Sequence, residues 1–164
     1  MVGGYDETFS HNEDAEYDQR VVQADGRIFL NADIRIQYIP RGSVRALARQ
    51  YFNYGKGRAR TVRKHRHKLK IRQALPILAL LGSTSGLLAA PIFWPALILP
   101  AGYLGVLFAA SLGVAGWKRS PCGLLAGLAS GTMHISWAAG FLRETLFPTS
   151  GKRAFPLVSG QKSL

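Results

Sequence analysis

Between Ala74 and Trp117 the chain carries 44 consecutive residues without Asp, Glu, Lys, Arg or His, dominated by Leu, Ala, Ile and Gly. A helix rising about 1.5 Å per residue crosses roughly 30 Å of hydrocarbon in about 20 residues, so the run is too long for one pass and fits two with a turn. Pro91-Ile92-Phe93-Trp94-Pro95 places the turn, because proline removes a helix donor and tryptophan favours the membrane interface. Helices are predicted near 75–91 and 96–116. The competing reading, a buried hairpin in a soluble protein, needs a large polar shell that this chain lacks.

A third apolar segment spans 121–142, uncharged except for His134 and ended by Arg143-Glu144. Its Gly123, Gly127 and Gly131, at four-residue spacing, form a flat stripe that another helix can approach closely. Gly105, Ala109 and Gly113 repeat the arrangement in the second helix, and the two stripes are expected to pack together. The third segment either crosses the bilayer or lies re-entrant.

Charge divides the chain the same way. The net charge is +12, and eight of the nine acids lie before residue 34, the ninth being Glu144. That distribution excludes an acidic disordered chain, and the lone Cys122 excludes a disulfide-stapled module. Twelve Lys/Arg lie between Arg41 and Arg72, none in the Phe93-Trp94 turn, and Lys118-Arg119 follow the second helix. Cations near membrane segments stay on the cytoplasmic side, so the N-terminal part is expected inside. It has no apolar signal-peptide core, and Met1 reads as the start of a cytosolic segment.

In the polar half, Ser10-His11-Asn12-Glu13 matches a capping box opening a helix that runs to about Ala24 and is stopped by Gly26. Asp14 and Asp18 share one face, and Glu16 and Arg20 read as a surface pair worth a few tenths of a kcal/mol. An acidic first turn is also what the helix dipole favours by itself. Arg27–Leu30 and Ile34–Tyr38 read as strands around an Asn31-Ala32-Asp33 turn, a fragment that needs more sheet than it has.

After Pro40-Arg41-Gly42, Ser43 caps a helix from Val44. Val44, Leu47, Ala48, Tyr51 and Tyr54 or Gly55 share one face, with Arg45, Arg49, Lys56 and Arg60 opposite. Such a basic amphipathic helix is expected at the headgroup boundary, apolar face down. Gly55 and Gly57 suggest a turn or a close approach to a ligand. The cations from Arg58 to Arg72 suit first an anionic-lipid anchor, with which a patch for a diphosphate-bearing ligand is compatible. Nucleic acid is disfavoured by the membrane tether, and His65 and His67 read as solvated side chains, not metal ligands.

Several segments in order resemble a known family. They are Val2-Gly3-Gly4-Tyr5-Asp6-Glu7, Asn12-Glu13-Asp14-Ala15-Glu16 with Arg20, Tyr38-Ile39-Pro40-Arg41-Gly42-Ser43, and Arg49-Gln50-Tyr51-Phe52-Asn53-Tyr54-Gly55-Lys56-Gly57-Arg58. Met133-His134-Ile135-Ser136-Trp137 with Gly140-Phe141 completes the set. The chain thereby resembles the second half of a membrane-linked family 2 glycosyltransferase, most closely the succinoglycan-biosynthesis type.

The resemblance implies inverting sugar transfer on a GT-A α/β scaffold, from a nucleotide sugar to a polyprenyl-diphosphate-linked acceptor at the bacterial inner membrane. Asp14 matches the family's general base, and Glu13 would orient or cap. Gln50, Tyr54, Gly55, Arg49 and Arg58 match the acceptor-binding stretch, although Asn53 and Tyr54 stand where related synthases have Arg and Trp. The Asp-x-Asp that would hold a divalent Mg or Mn ion on the donor occurs nowhere in the 164 residues. The expectation is therefore a truncated, split or mis-started enzyme that does not bind donor alone.

The expected organisation is α/β plus membrane α. A GT-A fragment occupies 1–40, a basic interfacial helix and linker 41–73, a membrane bundle 74–143 and an irregular tail 144–164. The second functional reading is a non-catalytic membrane anchor whose basic helix binds anionic lipid or a partner.

Overall fold

The computed structural model describes residues 2–6, 11, 13–37, 39, 42–66 and 69–149. Ser10 and Asn12 of the capping box, Tyr38, Pro40, Arg41, His67 and nearly all of the tail lie outside them. Five α-helices follow one another: α1 (Glu13–Gln23), α2 (Val44–His65), α3 (Ile71–Ala89), α4 (Ile98–Lys118) and α5 (Ala126–Leu146). Short 3₁₀ turns at Trp94–Leu97 and Pro121–Leu125 lead into α4 and α5.

Local chain chemistry sets several of these boundaries. Ser43 Oγ accepts the Ala46 N–H at 3.2 Å and opens α2. At the end of α1, Asp25 takes the left-handed φ of 58°, and the Gly26 N–H donates to Val21 O at 2.8 Å, the closing bond of a Schellman cap. A Cβ on Gly26 would sit 2.6 Å from Val21 Cγ1.

The two expected strands are a correction. Among the described residues there is no strand, and the α/β class gives way to an all-helical arrangement. Asn31 does form the turn, its Oδ1 accepting the Asp33 N–H at 2.9 Å. The flanking residues find no ladder, and Phe29, Leu30 and Ile36 are 88, 89 and 84% exposed. A strand without a neighbouring strand leaves its backbone groups to water, so pattern alone does not hold it.

The apolar run behaves as its length dictates. Ile71–Ala89 and Trp94–Lys118 are long and apolar enough to cross a membrane, and only 6 and 11% of their apolar windows are buried. Core helices of a soluble hairpin would be covered, and these are not. The hairpin closes where Gly86 meets Ala96 O and Pro100, a Cβ there lying 2.6 Å from the carbonyl oxygen.

α5 is one continuous helix antiparallel to α4. The glycine stripe of α5 and the 3₁₀ turn before it packs on α4, but not on the expected Gly105, Ala109 and Gly113. Gly123 meets Ala115, Gly127 meets Leu107 and Ser111, and Gly131 meets Leu107, while Gly105 and Gly113 face open space. Two residues along a helix turn the face by about 200°, so the register of polar groups decides. Ser111 Oγ accepts the Gly127 N–H at 2.8 Å in a buried contact, satisfying one of the orphan donors in the first turn of α5.

The closest packing joins α2 to α5. Cβ atoms on Gly55 and Gly140 would collide with Trp137 O and Phe52 O, respectively. Both glycines are therefore required by backbone approach between helices, and α2 runs through Gly55 and Gly57 without the expected turn. The buried residues of α2 are Gly55, Gly57, Ala59 and Thr61.

Candidate functional site

Glu16 is the most buried charged group of the polar half, with no exposed surface. Arg20 Nε donates to both of its carboxylate oxygens at 3.0 Å, Lys64 Nζ donates at 2.7 Å, and His65 Nε2 lies 3.1 Å away. Arg20 also donates to Val2 O and Gly4 O at 2.6 and 2.7 Å, and Lys64 to Asp6 at 2.6 Å. One carboxylate thus ties α1, the N-terminal segment and the end of α2 together. Burial works to raise its pKa, but the hydrogen bonds from Lys64, His65 and Arg20 outweigh that and hold it below the usual value. The surface pair expected of Glu16 and Arg20 is in fact a buried hub, and His65 is its partner instead of a solvated side chain.

With α1 held by Glu16, Asp14 stands exposed in the first turn, its Oδ1 accepting the adjacent Ala15 N–H at 2.7 Å. Glu13 is half-buried, and its Oε2 is buried with no hydrogen-bond partner among the described residues.

Gln50 Nε2 donates to Tyr54 OH at 2.7 Å, one turn apart on α2. Tyr54 also packs edge-on against Tyr51, with ring centroids 5.6 Å apart. Gln50 lies 14 residues, about 21 Å of helix rise, from the Lys64 that binds α1. Gln50 and Tyr54 come together, but no contact joins them to Asp14 or Glu13 among the described residues. Gly55 serves the crossing with α5, and Arg49 is exposed.

Arg58 enters a cleft of about 340 Å³ where α2, α3 and α5 meet, lined also by Arg72, Gln73, Tyr51, His134 and Trp137. Burial, together with the like charge of Arg72, lowers the pKa of Arg58. At the other end of α5, Glu144 is fully buried, accepting from Arg60 Nε at 3.0 Å and from Thr149 Oγ1 at 2.6 Å, with Arg63 3.6 Å away. Burial favours its neutral form, but the bonds from Thr149 and Arg60 prevail and lower its pKa. Lys56 is shifted down by burial and by Arg143 and Arg60 against the pull of Glu144.

The chain is 46% identical to the succinoglycan biosynthesis protein ExoA of Rhizobium meliloti (strain 1021) over an alignment of 149 residues, 88% of this chain and 44% of the relative. It is related to a family 2 glycosyltransferase of succinoglycan biosynthesis. The chain spans less than half the length of that relative. No family profile and no solved structure matches it.

Identity of this extent bears out the resemblance carried by the ordered segments. Among the described residues no three His, Cys, Asp or Glu side chains gather closely enough to hold a metal ion. Sequence reasoning passed over Glu144 and Arg60 as a pair, yet one signal was present: Glu144 is the sole acid after Asp33, and a carboxylate at the end of an apolar helix needs a cation. The roles of His65 and Arg72 carried no sequence signal, because each depends on a residue from another helix.

Proposed function

We propose that this chain forms the acceptor side of a membrane-bound inverting glycosyltransferase of surface-polysaccharide synthesis. In this reading Asp14 is the general base and Glu13 orients the acceptor. The acceptor hydroxyl oxygen bonds to the anomeric carbon as the bond from that carbon to the nucleotide diphosphate breaks. The diphosphate leaves with the electron pair, and the hydroxyl proton passes to the Asp14 carboxylate. The donor is bound by parts of the longer relative outside these 164 residues. The acceptor is a sugar on a polyprenyl diphosphate, presented at the inner face of the bacterial cytoplasmic membrane, with Gln50 and Tyr54 against the sugar and Arg49 and Arg58 supplying positive charge.

The observation that carries this reading is the open carboxylate of Asp14 at the positive end of a helix whose position the buried Glu16 fixes. A base must be reachable by the acceptor hydroxyl, and the exposure of Asp14 supports the reading. The test places this segment in the longer relative in place of the corresponding part and follows sugar transfer to membrane lipid. Asp14→Asn is expected to lower transfer by about 10² to 10⁴, the usual worth of a general base, while membrane insertion is unchanged. Near-normal transfer by the variant removes Asp14 from the role.

A further inference from the structure

The cleft between α2, α3 and α5 lies where the chain changes character. Arg72 is the last charged residue before the 44-residue uncharged run, and it sits in the first turn of the first apolar helix. Arg58 reaches the same cleft from α2. Among the described residues no carboxylate lines the cleft. Arg58 and Arg72 both line this cleft; burial first, and the like charge of Arg72 second, disfavour the charged form of Arg58 and lower its pKa. An anion between them removes the penalty, and planar forks of donors suit the oxygens of a phosphate group.

The walls select the kind of anion. Trp137 and Tyr51 flank the arginines, and both residue types settle at the membrane interface. Pro76 also lines the cleft, and on either side of it along α3, Leu75 and Leu78 are 59 and 61% exposed. An apolar tail attached to a head in the cleft would have an open apolar helix beside it. A free phosphate has no use for that surface. We propose that this cleft binds the phosphate or diphosphate head of a membrane lipid between Arg58 and Arg72, with the lipid tail along α3. This deepens the reading above, resting on it only for the lipid's role as acceptor.

Binding can be read without sugar transfer, so failure here and failure of Asp14 as base are separate outcomes. The chain has three tryptophans, and Trp94 and Trp117 are 77 and 80% exposed, so Trp94→Phe with Trp117→Phe leaves Trp137 as the reporter. The full chain in phosphatidylcholine nanodiscs is titrated with farnesyl diphosphate. A saturable change in Trp137 emission is expected, weakened at least tenfold by Arg58→Gln or Arg72→Gln and unchanged by Arg45→Gln, an exposed cation on the same helix. Arg58→Lys and Arg72→Lys, which keep the charge, should fall between, separating lost recognition from lost folding. Inorganic pyrophosphate should bind at least tenfold more weakly, and equal binding would overturn the lipid assignment in favour of a free anion. Nanodiscs containing phosphatidylglycerol should leave the titration unchanged, and full competition would replace the proposal with ordinary headgroup adsorption. Indifference to both glutamine variants would overturn the site.

Discussion

Glu16→Gln tests the physical basis of the whole polar half. The carboxylate is fully buried, whereas the Arg20 and Lys64 side chains are 21 and 37% exposed and His65 is 9% exposed. Removing one partner of a buried ion pair costs about 3–5 kcal/mol when the other is stranded. Here the cations are not stranded, because Arg20 keeps Val2 O and Gly4 O and Lys64 keeps Asp6, and part of the attraction is screened by water. The expected loss in docking of α1 onto α2 is therefore nearer about 2 kcal/mol, or about 30-fold in the opening equilibrium. Amide hydrogen exchange across residues 17–23 in nanodiscs reads it directly, with α4 as an internal reference. The wild-type protein should protect these amides, and the variant should exchange them about 30-fold faster. An exchange rate within twofold of the wild type would refute the assignment of Glu16 as the hub.

Gly140→Ala places a methyl group against the Phe52 backbone and should destabilise the α2–α5 pair by about 1–3 kcal/mol in SDS-induced unfolding, the range for overpacking. Gly105→Ala, whose Cβ meets open space, should be nearly neutral in the same assay. Ser111→Ala removes the acceptor of the Gly127 N–H, with a cost of about 1 kcal/mol and about fivefold faster exchange at that amide. The pH dependence of α1 docking has two edges. The lowered pKa of Glu16 means its contribution is complete above the usual 4.5 and is lost as pH falls through the folded value. Lys64 is pushed down by burial but raised further by Asp6 and Glu16, so its contribution is complete below the usual 10.5 and is lost above the folded value. Exchange of α1 amides, corrected for the intrinsic rate, should show protection falling as pH drops below 4.5 and as it rises above 10.5, and a flat profile on both sides would contradict the ion-pair account.

How far the candidate site was legible differs from residue to residue. Asp14 and Glu13 stood out in the sequence because they open a predicted helix within an ordered set of family segments, and α1 does begin at Glu13. Gln50 and Tyr54 are one turn apart, so their hydrogen bond is a consequence of helical spacing. Gly55 was noticed for the right physical property and assigned to the wrong neighbour: the backbone it admits belongs to α5, not to a ligand. Arg72 and Trp137 could not be read as companions of Arg58, since nothing in the sequence says which face of α5 meets α2.

The sequence by itself determined the elements whose causes are local. A 44-residue uncharged run interrupted by Pro91 and Pro95 divides into two long apolar helices, because its length and the missing proline donors act on the chain where it stands. Ser43 and Gly26 set helix ends for the same reason, through bonds to residues three to five positions away. The tertiary structure decided everything that joins distant positions. It chose Leu107, Ser111 and Ala115 over the glycines of α4, because a buried amide needed the serine oxygen. Among the described residues it formed neither of the two expected strands, since a ladder needs a neighbour. It also turned Glu16, read as half of a surface pair, and Glu144, read without a partner, into buried hubs, because a carboxylate leaves water only where enough cations meet it, and Lys64, His65 and Arg60 come from another helix.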